Sequence, residues 1–210
     1  MMQQLLDFGD AVRGEITRVE RALDPRALTL EVLVRRSDRS QAQPERWRIE
    51  ARDVRQFKLV FPEEVDSIRL AEQHPLLWTH RQDELELTFH AALADPFGTI
   101  GRLHARHEAL AHGWIPFATF LNTAVPLHEL LSSPAGMLAR GPRTLIAAYR
   151  DVLETSGARC SVLDHGRFED ADDGPQLLLL GKSFIVAASF DAARVQGPAS
   201  GPSVGAGMGL

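Results

Sequence analysis

The chemistry-bearing residue types of this chain gather in three short segments. The first is His104-Ala105-Arg106-His107-Glu108. On a helix, positions three and four apart share a face, so His104, His107 and Glu108 together offer two imidazoles and a carboxylate to a transition metal. The order differs from the zinc-protease helix, where a glutamate directly follows the first histidine and a second histidine lies four residues on. No other cysteine or histidine cluster supplies a distal ligand. These histidines are therefore expected to be structural, and no metal or other cofactor is expected. A metal-dependent enzyme built on His104, His107 and Glu108 is the alternative.

The second segment holds Cys160 with Asp164 and His165. A thiol nucleophile needs a base within hydrogen-bond reach and an orienter for that base. Cys160 sits in an apolar strand-like stretch, five residues before His165, where cysteine behaves as a small hydrophobe. No Gly-x-Ser-x-Gly elbow occurs. The third segment is Gly181-Lys182-Ser183. A phosphate loop needs two glycines four residues apart and a following helix. Here Gly174 precedes by seven positions, four leucines intervene, and Phe184-Ile185-Val186 is β-forming. A two-residue hairpin turn fits better.

A basic stretch points to binding instead of catalysis. Residues 35–58 carry eight basic side chains against four acidic ones. Alternation places Arg46, Arg48 and Arg52 opposite Trp47, Ile49 and Ala51, on the solvent face of a strand, with Arg55 continuing the row. Residues 62–86 carry seven acids against Arg69 and Arg81. Neighbouring strands of opposite sign are expected to compensate each other. Arg46, Arg48, Arg52 and Arg55 are accordingly candidates for contact with a protein partner. Nucleic acid is not the expected partner, since the chain as a whole carries a net charge of -5. The aromatic pieces His74–Trp78 and Gly113–Phe120 are read as seals between sheet and helices. The acidic run Asp170–Asp173 lacks the ligand spacing of a calcium loop.

Composition sets the frame for these readings. The chain has 210 residues, 44% hydrophobic and 24% charged, enough for a sizeable core. One cysteine rules out an internal disulfide. The first residues lack the pattern of a signal peptide, and no apolar run reaches the roughly 20 residues of a spanning helix. A soluble protein of the cytoplasm is expected, with no membrane partner. Lysine occurs only at Lys58 and Lys182. Arginine in every other basic position points to a GC-rich bacterial genome.

The elements that must position these residues follow from periodicity. Leu28, Leu30, Val32 and Val34 alternate, and Asp24-Pro25 turns the chain back towards residues 12–23. Residues 46–51, 57–61, 68–70 and 83–90 continue the period-2 pattern, with a bulge or bend after Ala51. At Asp95-Pro96 the period becomes helical through Ala111, with Asp95 as cap and Gly113 as stop. Short helices are expected over 114–122 and 127–131. Residues 132–136 break the chain, and Pro142 opens a helix that Gly157 ends. Strands at 159–163, 177–180 and 183–188 close the chain.

The order is α+β: an N-terminal antiparallel meander, a helical middle section, and a C-terminal helix plus β-hairpin. The expected division is an antiparallel β region at 1–94, an α-rich region with the hairpin at 95–195, and a disordered tail at 196–210. Read as a whole, the chain is expected to be a non-catalytic interaction protein, either an accessory subunit or an inhibitor or immunity-type partner. The tail holds five glycines, two prolines and no charged side chain. Deleting residues 197–210 is therefore expected to move the melting temperature by less than about 2 °C, measured by differential scanning fluorimetry. A larger drop would show that the segment is bound to the folded part.

Overall fold

The computed structural model describes residues 2–21, 24–37, 43–60, 64–166 and 174–195. The fold is α+β, with antiparallel sheets. It divides into two compact units, Met1–Ala71 with Gln176–Leu210, and Glu72–Pro175.

The first unit opens with a short helix, α1 (Met2–Leu6), which periodicity alone did not mark. Three long strands follow: β1 (Val12–Arg21), β2 (Leu28–Arg36) and β3 (Glu45–Lys58). They form the expected meander, each paired antiparallel with the next. Alternation decides their faces: Leu28, Leu30, Val32, Val34, Trp47, Ile49 and Ala51 are all buried. The expected irregularity after Ala51 is a bulge at Arg55, where the register of β3 slips by one. Asp53 beside it takes a φ of 50°. Beyond the bulge the inward pattern fades. Phe57 is exposed, with the Arg21 guanidinium 5.2 Å from its ring centre.

The meander is not the whole sheet. Two short strands, β4 (Glu64–Val65) and β5 (Ile68–Ala71), lie at opposite edges. The second unit then begins with a 3₁₀ turn at Pro75–Leu77, a short helix α2 (Trp78–Arg81) and strand β6 (Glu84–His90). The sequence places Glu84–His90 with the N-terminal strands, but β6 pairs only with strands of its own unit. Periodicity identifies a strand without naming its partner. The switch at Asp95-Pro96 is consequently a change from strand to helix within the second unit.

Helix α3 (Pro96–Ala111) starts as the sequence dictates. The Asp95 carboxylate accepts the Gly98 amide at 2.9 Å, and Pro96 opens the first turn. His112 and Gly113, with φ of 50° and 75°, end it. The expected helix over 114–122 is only a 3₁₀ turn, Phe117–Phe120. Helix α4 (Leu127–Ser132) follows, then strand β7 (Ala135–Pro142), where the sequence shows only a break. Glycine and proline in Ala135–Pro142 hide its strand character. Gly141 has a reason: a Cβ there would lie 2.8 Å from the Phe120 ring. Helix α5 (Arg143–Thr155) and strand β8 (Arg159–Asp164) complete the unit. Its sheet runs β7-β6-β8. Leu85, Leu87 and Phe89 of β6 pack with Leu103 of α3 and with Leu145, Ile146, Tyr149 and Leu153 of α5.

The chain returns to the first unit through β9 (Gln176–Leu180) and β10 (Ser183–Val195). Gly181, at φ 61°, and Lys182 form the expected two-residue turn. Strand β10 runs seven residues past the expected Ala188, because β3 offers it a full-length partner. The sheet order is β4-β1-β2-β3-β10-β9-β5. Its core adds Leu5 and Phe8 to the inward rows. The segment expected to be a tail, 196–210, lies outside the described residues.

Trp47 sits near the middle of this core, with its indole N–H 3.3 Å from a Glu45 carboxylate oxygen. Trp47→Ala should cost about 3–5 kcal/mol in urea unfolding. A loss below about 1 kcal/mol would mean that this face of β3 is not core.

Candidate functional site

The outer face of β3 carries the basic row. Arg46, Arg48 and Arg52 are exposed, and the residues between them on the inner face are buried. The backbone beneath is bonded on both sides, by β2 and β10, so the arginines stand on a rigid strand. Arg48 Nη2 lies 3.2 Å from Glu31 of β2, and Arg52 Nη2 lies 3.1 Å from Asp191 of β10. Arg194 of β10 lies 3.5 Å from Glu45, but on the Trp47 side of the strand. The acids on the face of the row come from β2, from β10 and, at exposed Glu50, from β3 itself. Two of the acids between residues 64 and 86 have other partners: Glu64 faces Arg13, and Glu84 binds Arg140 within the second unit. Charge counting along the chain finds the compensation but not its source, because strand neighbours are set by topology.

Arg55 departs from the row. As the bulged residue it is drawn towards Asp53, 3.3 Å away, and its side chain is only 23% exposed. Asp53 also meets Arg26 at 3.2 Å.

The histidine helix resolves into two different residues. His104 is exposed, with its ring edge-on to Phe117 at 5.1 Å. His107 is fully buried. Its Nε2 is 2.7 Å from the Ile115 carbonyl and its Nδ1 is 2.8 Å from the Tyr149 hydroxyl. A carbonyl can only accept, so Nε2 carries the proton and Nδ1 accepts from the Tyr149 O–H. Burial, with the nearby Glu108 charge, pushes the Tyr149 pKa well above its usual range, which keeps that hydroxyl a donor. Both ring nitrogens of His107 are thus committed. Among the described residues, no group of three histidine, cysteine or acidic side chains is placed to hold a metal ion.

The remaining candidates are also placed. Cys160 is half-buried opposite Phe89, and burial raises its pKa, with the Glu154 charge adding to it. His165 lies beyond the other end of β8, 3.5 Å from Glu86. Ser183 is buried, and its hydroxyl accepts the Val60 amide at 3.0 Å. The acidic run Asp170–Asp173 lies outside the described residues. In the aromatic pieces the fully buried residues are aliphatic, Leu76, Leu77 and Ile115, while Trp78, Phe117 and Phe120 pack half-buried on the second unit's core.

Two features lack a sequence signal. An open cavity of about 310 Å³ is bounded by His74, Trp78 and Arg81 with Glu72, Gln73 and Gln82. His74 Nδ1 accepts the Leu76 amide, and burial with the neighbouring His112 charge lowers the His74 pKa. Arg81 is occupied in holding the carbonyls of Gly174 and Pro175 at 2.8–3.2 Å. Phe97, on the helical face by spacing, is 71% exposed and stacks on His128 at 5.3 Å.

The His107 geometry separates two neighbouring histidines experimentally. His104→Gln should change stability by less than about 0.5 kcal/mol. Tyr149→Phe, which strips Nδ1 of its donor, should cost about 1–3 kcal/mol. His107→Ala should cost more, since it leaves two buried groups without partners. Equal effects at His104 and His107 in urea titrations would contradict the assignment.

Comparison with protein-family models, with curated proteins and with solved structures finds no match to this chain.

Proposed function

We propose that this chain is a non-catalytic interaction protein, an accessory subunit or an inhibitor or immunity-type partner, that binds another protein through the outer face of β3. One observation carries the reading. Arg46, Arg48 and Arg52 stand at alternate positions on a strand whose other face is buried, with Glu31 and Asp191 within 3.2 Å of two of them. A rigid mosaic of both signs matches the mixed charge of a protein surface. It gives register and encounter rate more than raw affinity. A polyanion selects for uncompensated cations, each releasing counterions on contact.

Two further observations support the reading. His107 would have to give up a buried hydrogen bond to bind a metal, which disfavours the alternative site at His104, His107 and Glu108. The Cys160 thiol is shifted away from the thiolate that a nucleophile requires. A cytoplasmic, bacterial setting belongs to the same proposal. It is supported by the lone cysteine and the near-absence of lysine. No helix among the described residues is long and apolar enough to cross a membrane.

The test is charge reversal. The triple variant Arg46→Glu, Arg48→Glu, Arg52→Glu should keep the fold, because all three side chains are exposed. Association with a partner captured from host extract should slow by about tenfold or more at low salt and lose most of its salt dependence. Micromolar binding to random-sequence RNA at near-physiological salt, abolished by the same reversals, would replace this proposal with a nucleic-acid function.

A further inference from the structure

Open strand edges invite other strands, because each presents unpaired backbone donors and acceptors. The edges in this protein are treated unequally. Beyond its short pairing with β4, β1 is bent by a bulge at Thr17 in its ladder with β2 and then carries Arg18, Glu20 and Arg21. Bulges and charges of this kind blunt an edge. Strand β5 is only four residues long. The outer side of β7 is covered, with Leu121 bridging Ala139 and the Asn122 amide donating to the Leu138 carbonyl at 2.8 Å.

Strand β8 carries charge only at its two ends, Arg159 and Asp164, and has neither a bulge nor a cover among the described residues. Among the described residues no strand pairs with its outer side. Its register with β6 runs without a shift from Arg159 to Asp164. Between those two charged ends lie Cys160, Ser161, Val162 and Leu163, with no proline. Val162 is 39% and Leu163 57% exposed.

The hydrogen bonds fix which groups face outward. The His165 amide donates to the Glu84 carbonyl at 2.9 Å, and the Thr88 hydroxyl donates to the Ser161 carbonyl at 3.3 Å. Backbone groups alternate sides along a strand. Residues 161, 163 and 165 therefore point to β6, and the N–H and C=O groups of Cys160, Val162 and Asp164 point away from it.

We infer that β8 is a dimerisation edge, at which a second copy of this chain adds its own β8 antiparallel. The charge pattern selects this occupant. The strand is basic at its start, where Arg159 lies opposite His90, and acidic at its end, at Asp164, whose carboxylate also meets Arg143 at 2.9 Å and keeps about half its side chain exposed. A two-fold axis perpendicular to the sheet sets each acidic end beside the basic end of the other copy. A parallel partner strand would set like beside like. Such an axis keeps the two faces of the sheet, so only residues of one face can pair. Val162 then meets Val162 of the second copy, and Ser161 meets Leu163. The outward amides of Cys160, Val162 and Asp164 close in the same step. The two three-stranded sheets become one continuous sheet, and the exposed apolar pair is covered from both sides.

The experiment is a mass measurement by sedimentation equilibrium on the full chain across micromolar concentrations. The wild type should sediment at twice the chain mass of 23.2 kDa. Leu163→Lys puts a charge next to the centre of the paired edge in each copy, opposite Ser161, and should return the mass to that of one chain, with an unchanged circular dichroism spectrum. Val162→Pro removes an outward N–H without removing a bond to β6, and should do the same. Should the proline variant fail to fold, the lysine variant decides alone. A wild-type monomer at every concentration would assign the edge to another chain or to this chain's own residues, and would overturn the inference. A dimer that Leu163→Lys leaves intact would also overturn it.

Discussion

The pairing of β3 with β10 is the constraint on which the first unit depends. The two strands run antiparallel from Phe184 opposite Lys58 to Val195 opposite Arg46, with one slip at Arg55. Their ends are far apart in sequence: Ser183 and Val60, joined by a hydrogen bond, are 123 positions apart. The hairpins β1–β2 and β2–β3 are local and inexpensive in loop entropy, but alone they leave the far side of β3 open. Closing that side with β10 completes the bonding of β3 and adds Ile185, Ala187, Phe190 and Ala192 to the core. The unit is therefore discontinuous, and the intervening residues 72–175 form a unit with its own core.

The same pairing makes the charged face what it is. Without β10, Arg52 would lack Asp191. With it, the basic row is embedded among acids on a stiff support. Individually these exposed pairs contribute little to stability. Their consequence is spatial, since they fix where positive and negative groups stand relative to one another. In the second unit the comparable polar feature is internal. His107 joins α3 to α5 through Tyr149 and to the following turn through Ile115, so a residue type suited to chemistry serves as a structural tie.

Local signals were legible where one residue's chemistry decides the outcome. Alternation located Trp47, Ile49 and Ala51 in the core, Asp95-Pro96 capped α3, and Gly181-Lys182 turned the β9–β10 hairpin. Legibility ended where the deciding partner is remote. Strand β6 reads as a further strand of the N-terminal meander because it follows those strands, yet its ladder is with β7 and β8. Strand β7 was hidden because Gly136, Gly141 and Pro142 are poor strand formers; the glycines are required because a Cβ would meet Leu130 and Phe89 at Gly136 and Phe120 at Gly141. The candidate site was half legible. Spacing placed Arg46, Arg48 and Arg52 outward, but the bulge that removes Arg55 from the row and the Asp191 carboxylate beside Arg52 are products of pairing with β10.

Hydrogen exchange tests the β3–β10 closure most directly. Amides in a cooperatively closed sheet open only with the unit as a whole. The account predicts that those amides of β10 between Ile185 and Ala193 that point to β3 exchange as slowly as the β10-facing amides of β3 from Trp47 to Val54, and that both sets respond together to added denaturant. Rapid exchange throughout β10 beside a protected β1–β3 meander would show that the meander stands without its C-terminal partner, and would contradict the account.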